Sequence, residues 1–169
     1  EVMAGLQIES AYVGIAGDHI RSVNSRGVVS VVGKHREITR EDIDRVIEAS
    51  KSINIPAELE LLHVIPREFV VDGQDGIHDP LGMTAARLEA NVHIVTGART
   101  HNQNILTCVN KAGIAVQELV LEQLAAAEAV LTQDEREMGV LLMDLGAGTT
   151  DYAVFLEGTE GGLARLVVA

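Results

Sequence analysis

Tryptophan is absent from this chain, and two Phe and two Tyr are its only aromatic residues besides histidine. Because 47% of its 169 residues are nevertheless hydrophobic, the core must be built from Val, Ile, Leu and Ala. Such residues suit close-packed layers of sheet and helix, and the length allows one domain or two small ones. Cysteine is almost missing too: Cys108 stands alone. No internal disulfide can form, which fits a reducing cytoplasm, and the place of Cys108 in a helical pattern reads as a small core residue rather than a nucleophile. Positive charge is scarce, 13 Lys and Arg against 25 Asp and Glu, for a net charge of −12. A surface of that sign repels polyanions and no basic stripe offsets it, so nucleic acid is excluded as the main partner. No apolar run reaches the roughly 18 to 20 residues that span a bilayer, and no basic segment followed by a signal core opens the chain. Nothing here is expected to insert in or cross a membrane. The chain starts at Glu1 without an initiator Met and stops at Ala169 on the apolar strand Leu163 to Val168, so both ends read as cuts.

What is present begins with two strand-like runs, Ala11 to Ile15 and Val28 to Val32, with Gly17-Asp18 and Arg26-Gly27 as turn signals around the segment between them. Together they predict a meander or hairpin. Thr39 followed three residues on by Asp42 is a capping-box start, and Ile43, Val46, Ile47 and Ile53 fall on one face of a helix from about Arg40 to Ile53. Ile55-Pro56 ends it. The charges around that helix, Asp42, Asp44 and Glu48 with Arg40, Arg45 and Lys51, read as a solvated face. Glu58 to Asp72 is a long strand pattern broken at Pro66, which implies an edge or a bulge. Gly73 to Gly82 reads as a loop. From Arg87 to Ile94 the alternation is strict, with Arg87, Glu89, Asn91 and His93 predicted wet and Leu88, Ala90, Val92 and Ile94 predicted core. An open sheet with such an edge can pair with another copy or an extended peptide. Strand, helix, strand, strand therefore makes a compact α+β unit ending near Ala98.

A second unit opens with a helix from about His101 to Lys111, closed by Gly113 in the left-handed capping position. A short strand at Ile114 to Leu119 follows, then an Ala-rich helix from Leu121 to Leu131 and a charged turn, Thr132 to Glu137. Last comes Gly139 to Leu156, GVLLMDLGAGTTDYAVFL: an apolar strand ending in Asp144, a tight turn Gly146-Ala147-Gly148-Thr149-Thr150-Asp151, and a second apolar strand. Glycines spaced by one let backbone N–H groups approach an anion, and Thr149 and Thr150 add hydroxyl donors. Asp144 can face a magnesium ion through water. The plain alternative is a well-formed hairpin, since Gly and Thr are ordinary turn residues. Elsewhere the chemistry is bland. The six histidines, at 19, 35, 63, 78, 93 and 101, show no i, i+4 pair and no Cys partner, so they do not spell a metal site. No local context supports a nucleophile with its base, and no catalytic residue is assigned.

The run Asp144 to Asp151, preceded by a helix and the turn Leu131 to Gly139, resembles the second phosphate loop of the actin, Hsp70 and sugar-kinase superfamily. Upstream, Leu62-His63-Val64-Ile65-Pro66-Arg67-Glu68-Phe69, with Asp72-Gly73-Gln74, Gly76-Ile77 and Pro80-Leu81-Gly82, resembles the FtsA family of bacterial cell-division proteins, as does Tyr12 to Ile20. The resemblance covers nearly the whole chain. It implies an α/β fold in which an SHS2-type strand-helix-strand-strand module (the 1C subdomain), residues 10–98, is inserted in part of an actin-like, ribonuclease H-like nucleotide-binding fold. Residues 99–137 would end the first actin-like lobe, and residues 138–169 would begin the second.

The family's role, by the same resemblance, is to link the FtsZ ring to the inner face of the cytoplasmic membrane at the division site, to self-associate and to recruit later division proteins. Asp144, Gly146, Ala147, Gly148, Thr149 and Thr150 would contact ATP, with Asp144 also facing Mg. The first phosphate loop, the adenosine motif, the FtsZ-tail subdomain and the membrane helix are expected to lie outside this chain. FtsZ and membrane would thus be reached only through other regions, and the chain alone is expected to bind ATP poorly and not to act as an ATPase. A working actin-like ATPase, or a chaperone or pilus-assembly relative, is the competing reading, and the His63 to Phe69 match argues against the latter two.

Overall fold

The computed structural model describes residues 5, 7–33, 35–155 and 163–168; Glu1, Leu156 and Ala169 lie outside the described residues. Among the described residues nine strands form three sheets, accompanied by four helices. Strand β1 (Ser10–Ile15) is followed by β2 (Ile20–Ser30), helix α1 (Arg40–Ser50), β3 (Leu59–Val71), β4 (Gln74–Ile77) and β5 (Arg87–Ala98). Then come α2 (Arg99–Lys111), β6 (Ala115–Leu121), α3 (Glu122–Val130), α4 (Gln133–Met138), β7 (Val140–Leu145), β8 (Thr150–Phe155) and β9 (Leu163–Val168).

The expected meander of the first two strands does not form. Strand β1 pairs parallel with β6, Ser10 against Ala115 through Ile15 against Leu121, while β2 pairs antiparallel with β5 along its full length. A parallel pair needs a crossover. Here that crossover contains α2 and a complete four-stranded sheet, ordered β2-β5-β3-β4, with α1 laid on one face. Arg26-Gly27 is not a turn but the middle of β2. A Cβ at Gly27 would run into the Val46 carbonyl and sit 2.7 Å from the Ser50 nitrogen, so the glycine lets the helix lie directly on the strand.

Helix α1 starts where its sequence says. The Thr39 hydroxyl accepts from the Asp42 N–H at 3.3 Å, and Asp42 Oδ2 accepts from the Thr39 N–H at 3.0 Å, a closed capping box. The helix stops at Ser50, short of the expected Ile53. Its apolar face, Ile43, Val46 and Ile47, packs on Leu88, Ala90, Val92 and Ile94 of β5 with Val31, Ile38, Phe69 and Val71. Asp42 is buried, not solvated: the Thr39 backbone N–H holds its carboxyl below the usual value against the opposing effect of burial, helped by the Thr39 hydroxyl and Arg45.

Other departures share one cause, contacts that close over groups distant in sequence. Strand β5 is the second strand of its sheet, with both edges taken by β2 and β3, so it offers no edge for pairing. The residues expected to be wet include Glu89 and His93, both only 3% exposed. Glu89 is ion-paired to Arg26 of β2 and, at 3.2 Å, to Arg87, while His93 Nδ1 lies 2.7 Å from Asn24 Oδ1. Pro66 does sit at a bulge of β3. The expected loop Gly73 to Gly82 begins with a strand, β4, folded back on β3 through the two-residue turn Asp72-Gly73, whose φ angles are +47° and +91°. Asp-Gly at positive φ is the favoured hairpin chemistry. Thr132 to Glu137 is not a turn but the cap and body of α4, since Thr132 and Glu135 form a second capping box. Cys108 is exposed on α2 rather than buried. Among the described residues, no helix is long and apolar enough to cross a membrane.

A second core joins the parts. Val95 and Ile20 from the four-stranded sheet pack with Ile15, Leu121, Ala127, Ala153 and Phe155, flanked by Leu62, Ile65 and Ile105.

Candidate functional site

The glycine hairpin is formed by β7 and β8, in register from Val140 against Phe155 to Leu145 against Thr150. The Gly146 N–H donates to the Thr149 carbonyl at 2.9 Å, closing a four-residue turn, Gly146 to Thr149. A Cβ on Gly146 would lie 3.1 Å from that same carbonyl, whereas a Cβ on Gly148 would meet nothing within 4 Å. The two glycines therefore differ: Gly146 is needed to close the turn, and Gly148 leaves open space above the loop. Asp144, Gly146, Ala147, Gly148 and Thr149 are exposed and Thr150 is half-buried. All six residues named from the sequence thus share one hairpin tip, five of them exposed.

Asp151 was missed as a candidate. It lies directly across the ladder from Asp144, is 6% exposed, and its Oδ1 is buried with no partner. Like charges directly opposite on a strand pair destabilise it, and an orphaned carboxylate oxygen calls for a cation or donor. The repeat of Asp at both ends of the Leu145 to Thr150 segment was the available sequence signal. The residues present fit a hydrated magnesium–phosphate group: opposed carboxylates, two hydroxyls and exposed N–H groups on a turn open above Gly148.

A second set of polar side chains joins the four-stranded sheet to the rest. Leu121 N–H donates to His63 Nε2 at 3.0 Å, joining β3 to the end of β6. Asn102, fully buried on α2, donates to Glu60 Oε1 at 2.7 Å. The rings of His19 and His101 stack with centroids 4.6 Å apart and planes 12° from parallel. Burial lowers the His63 pKa, partly countered by Glu118, and burial followed by His101 lowers that of His19. Among the described residues no group of three or more His, Cys, Asp or Glu is placed to hold a metal. A hollow of about 300 Å³ opens between α1 and the β4 connection, lined by Arg40, Phe69, His78 and Leu81, and another of about 310 Å³ lies beside β2 at Arg21, Ile53, Pro56 and Leu59.

Comparison with known proteins adds two findings. The family model described as the SHS2 domain inserted in FTSA matches residues 17–96. Along most of its length the chain is also similar to curated proteins named cell division protein FtsA. It is 51% identical over 167 residues to that of Pseudomonas aeruginosa, covering 99% of this chain and 40% of the relative. To the Bacillus subtilis protein it is 42% identical over 158 residues, 94% of this chain and 36% of the relative. To the Escherichia coli K12 protein it is 40% identical over 158 residues, 94% of this chain and 37% of the relative. The chain spans about two fifths of the length of these relatives.

Proposed function

This chain belongs to the FtsA family of cell-division proteins, and from that premise we propose that it supplies the contact-making module and one wall of the nucleotide site of an adaptor at the division septum. The parent would link the FtsZ ring to the cytoplasmic membrane, self-associate and recruit later division proteins, with FtsZ and the membrane engaged through other regions. The observation that carries this reading is the insertion itself. Strands β1 and β6 are neighbours, yet between them the chain builds a separate sheet with its own core. Such a unit adds surface without altering the chemistry of the fold around it.

The hairpin supports a nucleotide role for the parent. Gly148 and Ala147 would present backbone N–H groups to phosphate, Thr149 and Thr150 would donate hydroxyls, and Asp144 would hold magnesium through water, with Asp151 across the ladder completing the negative pole. Magnesium, when bound, neutralises phosphate charge. A phosphate site on a single exposed turn has no opposing wall, so affinity rests on a few solvent-competed contacts.

The adaptor and enzyme readings separate on the purified chain. Sedimentation velocity together with an ATP turnover assay is expected to show concentration-dependent self-association without turnover, and titration of Mg-ATP is expected to show weak binding or none. Stoichiometric micromolar binding with turnover would favour the actin-like ATPase reading instead.

A further inference from the structure

The chain crosses twice between the four-stranded unit and the β1–β6 unit, at residues 16–19 and 97–101. His19 lies on the first crossing and His101, in the first turn of α2, on the second, and their rings stack across the joint. His63 lies on β3 and reaches the end of β6. Half of the six histidines therefore sit where the two units meet.

His63 and His19 need neutral rings there. His63 Nε2 accepts the Leu121 N–H, so its single proton is on Nδ1; a protonated imidazole has no acceptor and would turn a donor on a donor. His19 Nε2 is buried without a partner, and a charge on that ring would stand against the His101 ring. The charged groups at the joint are few. Asp18 favours and Arg21 opposes a charge on His19, and Glu118 favours one on His63. Glu60 is held by Asn102, and the Glu122 side chain of α3 lies against Gly14.

We propose that His63 and His19, the latter stacked on His101, form a proton-operated latch that fixes the inserted sheet on the β1–β6 unit when His19 and His63 are neutral and loosens it when they are protonated. Burial keeps His19 and His63 below the usual histidine value, so the latch is closed at neutral pH. Its contribution is complete above the unfolded value of about 6.5 and is lost as pH falls through the lower folded values. The two chain crossings keep the units tethered, so release loosens the packing of the Val95 cluster and changes their relative orientation without unfolding either sheet.

Cys108, exposed on α2, is a ready labelling point, and Val28→Cys on the exposed part of β2 supplies a second. Spin-label distances between them are expected to give one population at about pH 7.5 and a second, longer one once pH has fallen through the folded midpoints of His19 and His63, which proton NMR reads directly. In the His19→Gln/His63→Gln variant, which keeps amide acceptors but cannot titrate at those two positions, the distribution is expected to stay as at about pH 7.5 over the same range. Proton NMR of the unsubstituted histidines is a check that does not depend on the variant folding: the Leu121 amide is expected to shift with the His63 midpoint. A wild-type distance that is unchanged below the His19 and His63 midpoints, an undiminished response in the Gln variant, a Leu121 amide indifferent to His63, or loss of the circular dichroism signal along with the distance change would each overturn the latch.

Discussion

At Gly27 the missing side chain is what allows α1 to rest on β2, because a methyl there would meet the helix backbone at Val46 and Ser50, two groups that cannot rotate away. Gly27→Ala is expected to cost about 1 to 3 kcal/mol, the range for overpacking a closed core. With no tryptophan to follow, urea unfolding read by far-UV circular dichroism checks it. At the other end of the helix, Asp42 is a buried carboxylate held by the Thr39 N–H and hydroxyl and by Arg45. Asp42→Asn is expected to lose about 1 kcal/mol at neutral pH, the usual worth of a helix cap. Because the folded pKa is depressed, the advantage of Asp42 exists above the ordinary carboxylate value of about 3.9 and disappears as pH falls through the folded value. Stability curves of the two proteins should therefore converge in acid. The cap was readable from sequence because donor and acceptor are three residues apart. Gly27 was not: Arg-Gly looks like a turn until the helix above it is known.

Strand β5 makes the same point for an element. Its strict alternation correctly marked a strand and its apolar face, since that periodicity is local. Its polar face was misjudged because Arg26, Asn24 and Glu68, brought from two neighbouring strands, close over Glu89, His93 and Asn91. The β3–β4 hairpin was lost in a stretch of turn formers, although Asp72-Gly73 carried the signal. Asp72 does more than turn the chain, its carboxylate accepting from the N–H groups of Ala86 and Arg87 at 2.8 to 3.1 Å and so anchoring the start of β5. Asp72→Ala is expected to cost about 1.5 to 3 kcal/mol, as for hydrogen bonds to a charged group, with amide exchange quickening first at Ala86 and Arg87. The glycine hairpin was legible as an element, strands and turn alike, and all six chosen residues fell at its tip. Asp151 escaped notice because its partnership with Asp144 depends on register, which the Gly146 turn fixes only once the hairpin is closed.

In the whole molecule, the largest misreading was the pairing of β1, which looked like the first strand of a meander and instead finds β6 about a hundred residues later. Long-range parallel pairing leaves no local trace, whereas the residues that mark the inserted module do. That architecture, a separate sheet spliced into a crossover, supports the proposed role of a protein that works through surfaces, with the hairpin proposed as one wall of a nucleotide site. The most direct measurement is the position of the parent protein in living cells, imaged as a fluorescent fusion through the division cycle. A band at midcell that appears before constriction, that persists in a variant lacking residues 17–96 because FtsZ is engaged through other regions, and that in this variant no longer gathers later division proteins is the predicted result. An even distribution that ignores the division site would contradict it.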